Sequence, residues 1–152
     1  MDKNEFKEFC KNEFVKHGFK KIKKYFYLVG SDILCGMDLQ RSDYGSIYYV
    51  NFFFCIGDYK SSTVFPTYYE SDVDGRILVM SKTQRNKGHT FMTSMIEYEE
   101  YTENELRPYF EKEFEERILP PIYHGRKYIL DNLNKLYHLT LRREEVMKKL
   151  QS

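Results

Sequence analysis

Histidines, cysteines and carboxylates are the residues here that could do chemistry, and their spacing limits what they can do. His17, His89, His124 and His138 stand far apart, and no CxxC, HxH or HExxH puts two metal donors side by side. Glu70-Ser71-Asp72-Val73-Asp74-Gly75 looks like the opening of a calcium loop. Counted from Glu70, however, the twelfth position is Ser81, where such a loop needs a bidentate glutamate. A polar turn is the simpler reading, and no metal is expected. Cys10, Cys35 and Cys55 are odd in number and widely spaced. Cys35 and Cys55 sit in apolar runs, which favours inert packed thiols over nucleophiles. The motifs GxSxG, GxGxxG and GxxxxGK[ST] are all absent. This inventory yields no catalytic residue and no cofactor.

Two charged features remain, and both point to recognition. Lys16, Lys20, Lys21, Lys23 and Lys24 form a basic knot interleaved with Phe19, Tyr25 and Tyr27. Such a surface could hold phosphates and stack on bases. The formal net charge of the whole chain is only +1, which argues against a polyanion partner. Lysines also guard exposed strand edges against aggregation, so nucleic acid is a secondary alternative. From Glu97 to Glu116, nine glutamates face only Arg107 and Lys112. Glu111, Glu113 and Glu115 are therefore a candidate surface for a basic protein partner. The same run also reads as the wet side of a helix whose Phe110, Phe114 and Ile118 turn inward at i, i+4, i+8.

The elements that must position these groups follow from periodicity. Phe6, Phe9, Cys10 and Phe14 predict a helix over residues 3–16, with Gly18 just past its end. Lys20–Val29 reads as one strand, with Ile22, Phe26 and Leu28 on one face and Lys24 as an exception. Asp32–Gln40 alternates, with Ile33, Cys35, Met37 and Leu39 inward. Ser46–Ile56 is apolar on both faces, as a strand covered on both sides would be. Short turn-rich links make these three an antiparallel meander. Residues 58–75 read as a long connection. Arg76–Ser81 and Thr90–Glu99 predict two more strands around a polar loop, Gln84–His89. Pro108 fits the first turn of a helix running to Leu119, although Thr102 and Glu105 also match a capping box. Pro120-Pro121 would stop that helix. Ile122, Ile129, Leu133 and Leu136 predict another, and residues 140–151 a last one striped by Leu139, Val146 and Leu150.

With 152 residues and no linker, this is one α+β domain over 1–152. Its fold is a mainly antiparallel twisted sheet of about five strands, packed with an N-terminal helix and two to three C-terminal helices. Phe and Tyr supply 12 and 14 residues and Trp none, so buried tyrosine hydroxyls will need partners. No apolar run approaches the ~20 residues of a membrane span. The opening MDKNEFKEFCK is too charged for a secretory signal, so the expected location is cytoplasmic.

The order of motifs resembles the bacterial domain of unknown function 4304. The residues that carry the likeness are HGFKK, DLQRSDYG, YYVNFFFCIG, ESDVDGRI and RILPPI, spread over about residues 3–136. The chain departs from that pattern in having no His near Val73 and no Trp. The resemblance implies a compact α+β fold and no activity. It directs attention to Gln40, Asn51 and Arg76. Gln40 and Asn51 have a structural alternative in closing turns, and Arg76 in pairing with Asp72 or Asp74.

Two functions lead, with nucleic-acid binding through the Lys16–Lys24 cluster behind them. One is a noncatalytic protein-interaction module of the immunity or antitoxin type. The other is a small-molecule binder or enzyme with a pocket on the sheet face bearing Tyr25, Tyr27, Tyr49 and Asn51, where Gln40 or Arg76 orients the ligand.

Overall fold

The computed structural model describes residues 1–82 and 91–152. Helix α1 spans Lys3–Lys16, as its apolar spacing predicts. Asp2 accepts the Glu5 N–H at 2.8 Å while the Glu5 carboxylate takes the Asp2 N–H at 3.1 Å, a reciprocal cap for the first turn. Gly18, at φ +93°, makes the left-handed step that turns the chain into the sheet.

The stretch Lys20–Val29 forms two strands instead of the single one its pattern predicts. Strand β1 (Lys20–Ile22) folds back on β2 (Tyr25–Val29), and Lys23 takes the positive φ of the tight turn. The misplaced Lys24 was the mark of that turn. Strand β3 (Ile33–Arg41) and β4 (Tyr48–Ile56) continue the antiparallel meander.

The next sheet strand, β5, is Val73–Arg76, three residues earlier than the predicted Arg76–Ser81. Gly75 explains the difference. A Cβ there would lie 2.5 Å from the Phe52 ring, so the glycine that suggests a turn makes room for a core aromatic. Beyond it, β6 (Val79–Met80) pairs with β7 (Met92–Thr93) in a separate ribbon. The predicted strand Thr90–Glu99 thus shrinks to β7 and one bridge between Tyr48 and Ile96. Its first residue and the loop Gln84–His89 lie outside the described residues.

Helix α2 (Glu103–Glu113) starts at the Thr102–Glu105 capping box and not at Pro108, which lies inside it. The chain then makes one π-helical turn, Phe114–Ile118, and runs on as α3 (Leu119–His124). Pro120-Pro121 therefore do not stop the helix. They occupy the first turn after the wide π turn, where a missing N–H costs little. Gly125, at φ +85°, ends it instead. Helix α4 (Arg126–Asp131) follows, and Leu136 sits exposed at φ +62°, so Ile122 to Leu136 is not one helical face. Strand β8 (His138–Leu139) pairs with β5, which puts Leu139 opposite Val73 and off the stripe of α5 (Arg143–Gln151).

Six strands in the order β1-β2-β3-β4-β5-β8 make the main sheet, all antiparallel. One face carries Met37, Val50, Phe52 and Phe54 and packs against Phe6, Phe110, Ile129 and Val146 from the helices. The other face divides in two. Tyr25, Tyr27, Leu34, Phe53 and Cys55 lie under Tyr59, Phe65 and Tyr68 of the connection after β4. The rest of that face is polar.

Candidate functional site

On the polar part of the second face, antiparallel register brings together residues far apart in sequence. Asn51 lies between Asp38 on β3 and Arg76 on β5, and Gln40 lies beside Tyr49. Arg76 Nε donates to Asn51 Oδ1 at 3.0 Å, and its Nη2 donates to Gln40 Oε1 at 3.1 Å. Asn51 Nδ2 donates to the same Gln40 oxygen at 3.0 Å. The guanidinium lies 4.0 Å above the centre of the Tyr49 ring. Gln40, Asn51 and Arg76 thus form one network, and Arg76 pairs with neither Asp72 nor Asp74. Among the described residues, Arg76 Nη1 has no hydrogen-bond partner.

An open groove of about 370 Å³ runs past this guanidinium, lined also by Tyr68, Asp74, His138 and Thr140. Tyr68 donates to Asp74 Oδ2 at 2.7 Å, and burial beside that carboxylate raises the phenol to about 12. Thr140 Oγ1 is buried without a hydrogen-bond partner among the described residues. Asp38 borders the network, and burial raises its carboxyl above the usual range.

Tyr25 and Tyr27 do not line this groove. Tyr27 donates to the Pro66 carbonyl at 2.8 Å, and the Tyr25 hydroxyl accepts from the Tyr68 N–H at 3.4 Å. Both rings are core, closed over by the connection. The aromatic pocket expected there is filled, and Tyr49 alone of the three reaches the polar site.

The acidic helix presents less charge than its sequence promises. Glu113 is buried, pairs with Arg117 and accepts the Leu78 N–H at 3.2 Å. Glu111 is bound by Lys16, and its other oxygen lies 3.6 Å from His17 Nε2. Of the three glutamates, Glu115 alone is exposed and without an ion pair among the described residues. Lys16 likewise leaves the basic knot, because its ammonium bridges Glu13 and Glu111.

Glu13, His17 and Glu111 bring ligand atoms within 4.8 Å of one another, as a metal would need. The Lys16 ammonium, 2.9 Å from Glu13, and the Arg107 guanidinium, 3.4 Å from it, already supply the cations. Burial against Phe114, stacked at 4.1 Å, pushes His17 below its ordinary range. The three cysteines are buried and unpaired by disulfides.

Sequence reasoning missed Arg117, which looked like one more charge on a charged helix. Among the described residues, no helix is long and apolar enough to cross a membrane. A family model described as a domain of unknown function (DUF4304) matches residues 10–124. No curated protein and no solved structure matches the chain.

Proposed function

We infer the function of this chain, which belongs to the DUF4304 family, from the Arg76 network: it is a noncatalytic interaction module that grips an acidic group of a partner protein. The observation that carries this reading is the guanidinium fixed by Asn51, Gln40 and Tyr49 with its Nη1 edge unspent at an open groove. A guanidinium held in place loses little freedom on binding a carboxylate, and its flat donor edge suits one. Buried thiols support the noncatalytic part. Burial holds Cys10 and Cys35 well above the usual thiol range and Cys55 at about 12, so none is a ready nucleophile. Glu111 and Glu113 are engaged internally, so the partner's contribution is acidic and not basic. An immunity or antitoxin protein, which works by masking another protein's surface, is the class that fits such a module.

The small-molecule reading keeps one specific support, since the same groove offers His138 and Thr140 beside Arg76. One NMR titration separates the readings. An acetylated tetraglutamate peptide, its glutamine counterpart and succinate are added to isotope-labelled protein. The acidic peptide should shift the Arg76 Nε–H and the side-chain amides of Asn51 and Gln40. Arg76→Gln should weaken binding by about tenfold, the loss expected when a charge-assisted hydrogen bond goes. Succinate acting alone at that site would favour the small-molecule reading. Shifts confined to other surfaces, or indifference to Arg76→Gln, would end the proposal.

A further inference from the structure

The Arg76 groove holds a second fixed charge, of the opposite sign. Asp74 lies two residues before Arg76 on β5, so both side chains stand on one sheet face, their Cα atoms about 6.5 Å apart. Both residues line the groove, and both are half-buried. Arg76 is held by Asn51, Gln40 and the Tyr49 ring. Asp74 is held by Tyr68, whose hydroxyl donates to Oδ2 at 2.7 Å. Its Oδ1 has no hydrogen-bond partner among the described residues and opens to solvent, as does Arg76 Nη1. Among the described residues no ion pair joins Asp74 to Arg76, nor to His138, which faces it across the β5–β8 register. Asp38 flanks Arg76 on the far side of Asn51, but its Oδ1 is buried.

Two fixed charges of opposite sign, each with one open atom, are complementary to a ligand with the signs reversed. An extended segment repeats side chains on one face every second residue, which matches the spacing of Asp74 and Arg76. A helix fits less well. One helical turn with its side chains takes roughly 400–600 Å³, more than the about 370 Å³ of the groove.

We propose that the partner meets this groove with an extended segment carrying an acid and, two residues away, a base. The acid lies on Arg76, and the base, a lysine or arginine, lies on Asp74. This inference rests on the Arg76 reading: the acid stays the anchor, and the base is its flank. A second acid at the flanking position would meet the Asp74 carboxylate and weaken binding, which gives the groove selectivity.

Four acetylated and amidated peptides test the inference, with Glu-Ala-Lys, Glu-Ala-Gln, Glu-Ala-Glu or Glu-Lys-Ala at the centre of a Gly-Ser frame. Each is titrated into isotope-labelled protein, and affinity is read from the side-chain amides of Asn51 and Gln40. Glu-Ala-Lys should bind about fivefold more tightly than Glu-Ala-Gln, the gain expected from one ion pair, and Glu-Ala-Glu should bind weakest. Glu-Lys-Ala turns its base to the opposite face and should bind like Glu-Ala-Gln. Asp74→Asn keeps an acceptor for Tyr68 and should bring Glu-Ala-Lys down to the affinity of Glu-Ala-Gln. Arg76→Gln should weaken all four. Equal binding of Glu-Ala-Lys and Glu-Ala-Gln, both still weakened by Arg76→Gln, would overturn this inference and leave the acidic grip standing. Indifference of every peptide to Arg76→Gln would overturn both. A preference for lysine that survives Asp74→Asn would place the base elsewhere and defeat the inference. Free glutamate binding as tightly as Glu-Ala-Lys would defeat it too, in favour of a small zwitterion.

Discussion

Arg117 lies buried with its guanidinium 5.0 Å from the centre of the Phe52 ring. It pairs with Glu113 one turn earlier and donates to the backbone carbonyls of Arg76, Lys135 and Leu136. Its own carbonyl accepts from Tyr137 at 2.6 Å. One side chain thereby ties α2, the end of β5 and the turn before β8. Arg117→Met would leave the Glu113 carboxylate buried and unpaired, at a cost of about 3–5 kcal/mol. Urea unfolding of that variant checks the figure, and adding Glu113→Leu should recover much of the loss. An effect below about 1 kcal/mol would show the pair to be dispensable. The sequence could not single Arg117 out, because nine glutamates around it look alike until burial distinguishes Glu113 from Glu115. Gln40, Asn51 and Arg76 stood out by motif. Their mutual hydrogen bonds needed a strand register that opposes residue 51 to residue 76.

Elements were legible where one period ran unbroken and hidden where a residue served the tertiary structure. α1 and β4 follow their patterns because capping, propensity and burial agree along their whole length. β5 was obscured because Asp72 and Gly75 resemble turn residues. Asp72 is in fact buried, accepting from the Ile56 N–H at 2.8 Å and from Lys149 at 2.8 Å. Gly36 is the matching case on the opposite face. An added Cβ there would stand 2.2 Å from Cζ of the buried Phe53 ring. Gly36→Ala must therefore displace that ring or bend β3, and we expect a loss of about 1–3 kcal/mol. The denaturant midpoint should fall with little change in slope. A midpoint equal to wild type would mean that Phe53 repacks freely. The π turn explains the misread helix end, since a single wide turn lets the chain admit two prolines and continue.

The whole molecule is a sheet whose buried hydroxyls and thiols give its stability a pH dependence. Desolvation raises Cys10 and Cys35 well above the ordinary thiol range, and Cys55 and Tyr27 to about 12. Above roughly pH 9 an unfolded chain loses thiol protons that the folded chain keeps. Folding stability is therefore fully present below that pH and falls above it, by about 1.4 kcal/mol per pH unit for each such thiol. Urea midpoints at pH 8 and pH 10 should differ accordingly, and Cys10→Ala should flatten the decline. A flat profile in the parent protein would refute the assignment. The same overall arrangement governs the order in which the protein comes into being. β5 ends at residue 76, but its outer neighbour β8 begins at residue 138. At about 5–20 residues per second, translation leaves that sheet edge bare for roughly 3 to 12 seconds. An unpaired edge is a template for other strands. Polypeptides released early within that interval would be adhesive fragments, and the nascent chain depends on His138 and Leu139 to become inert.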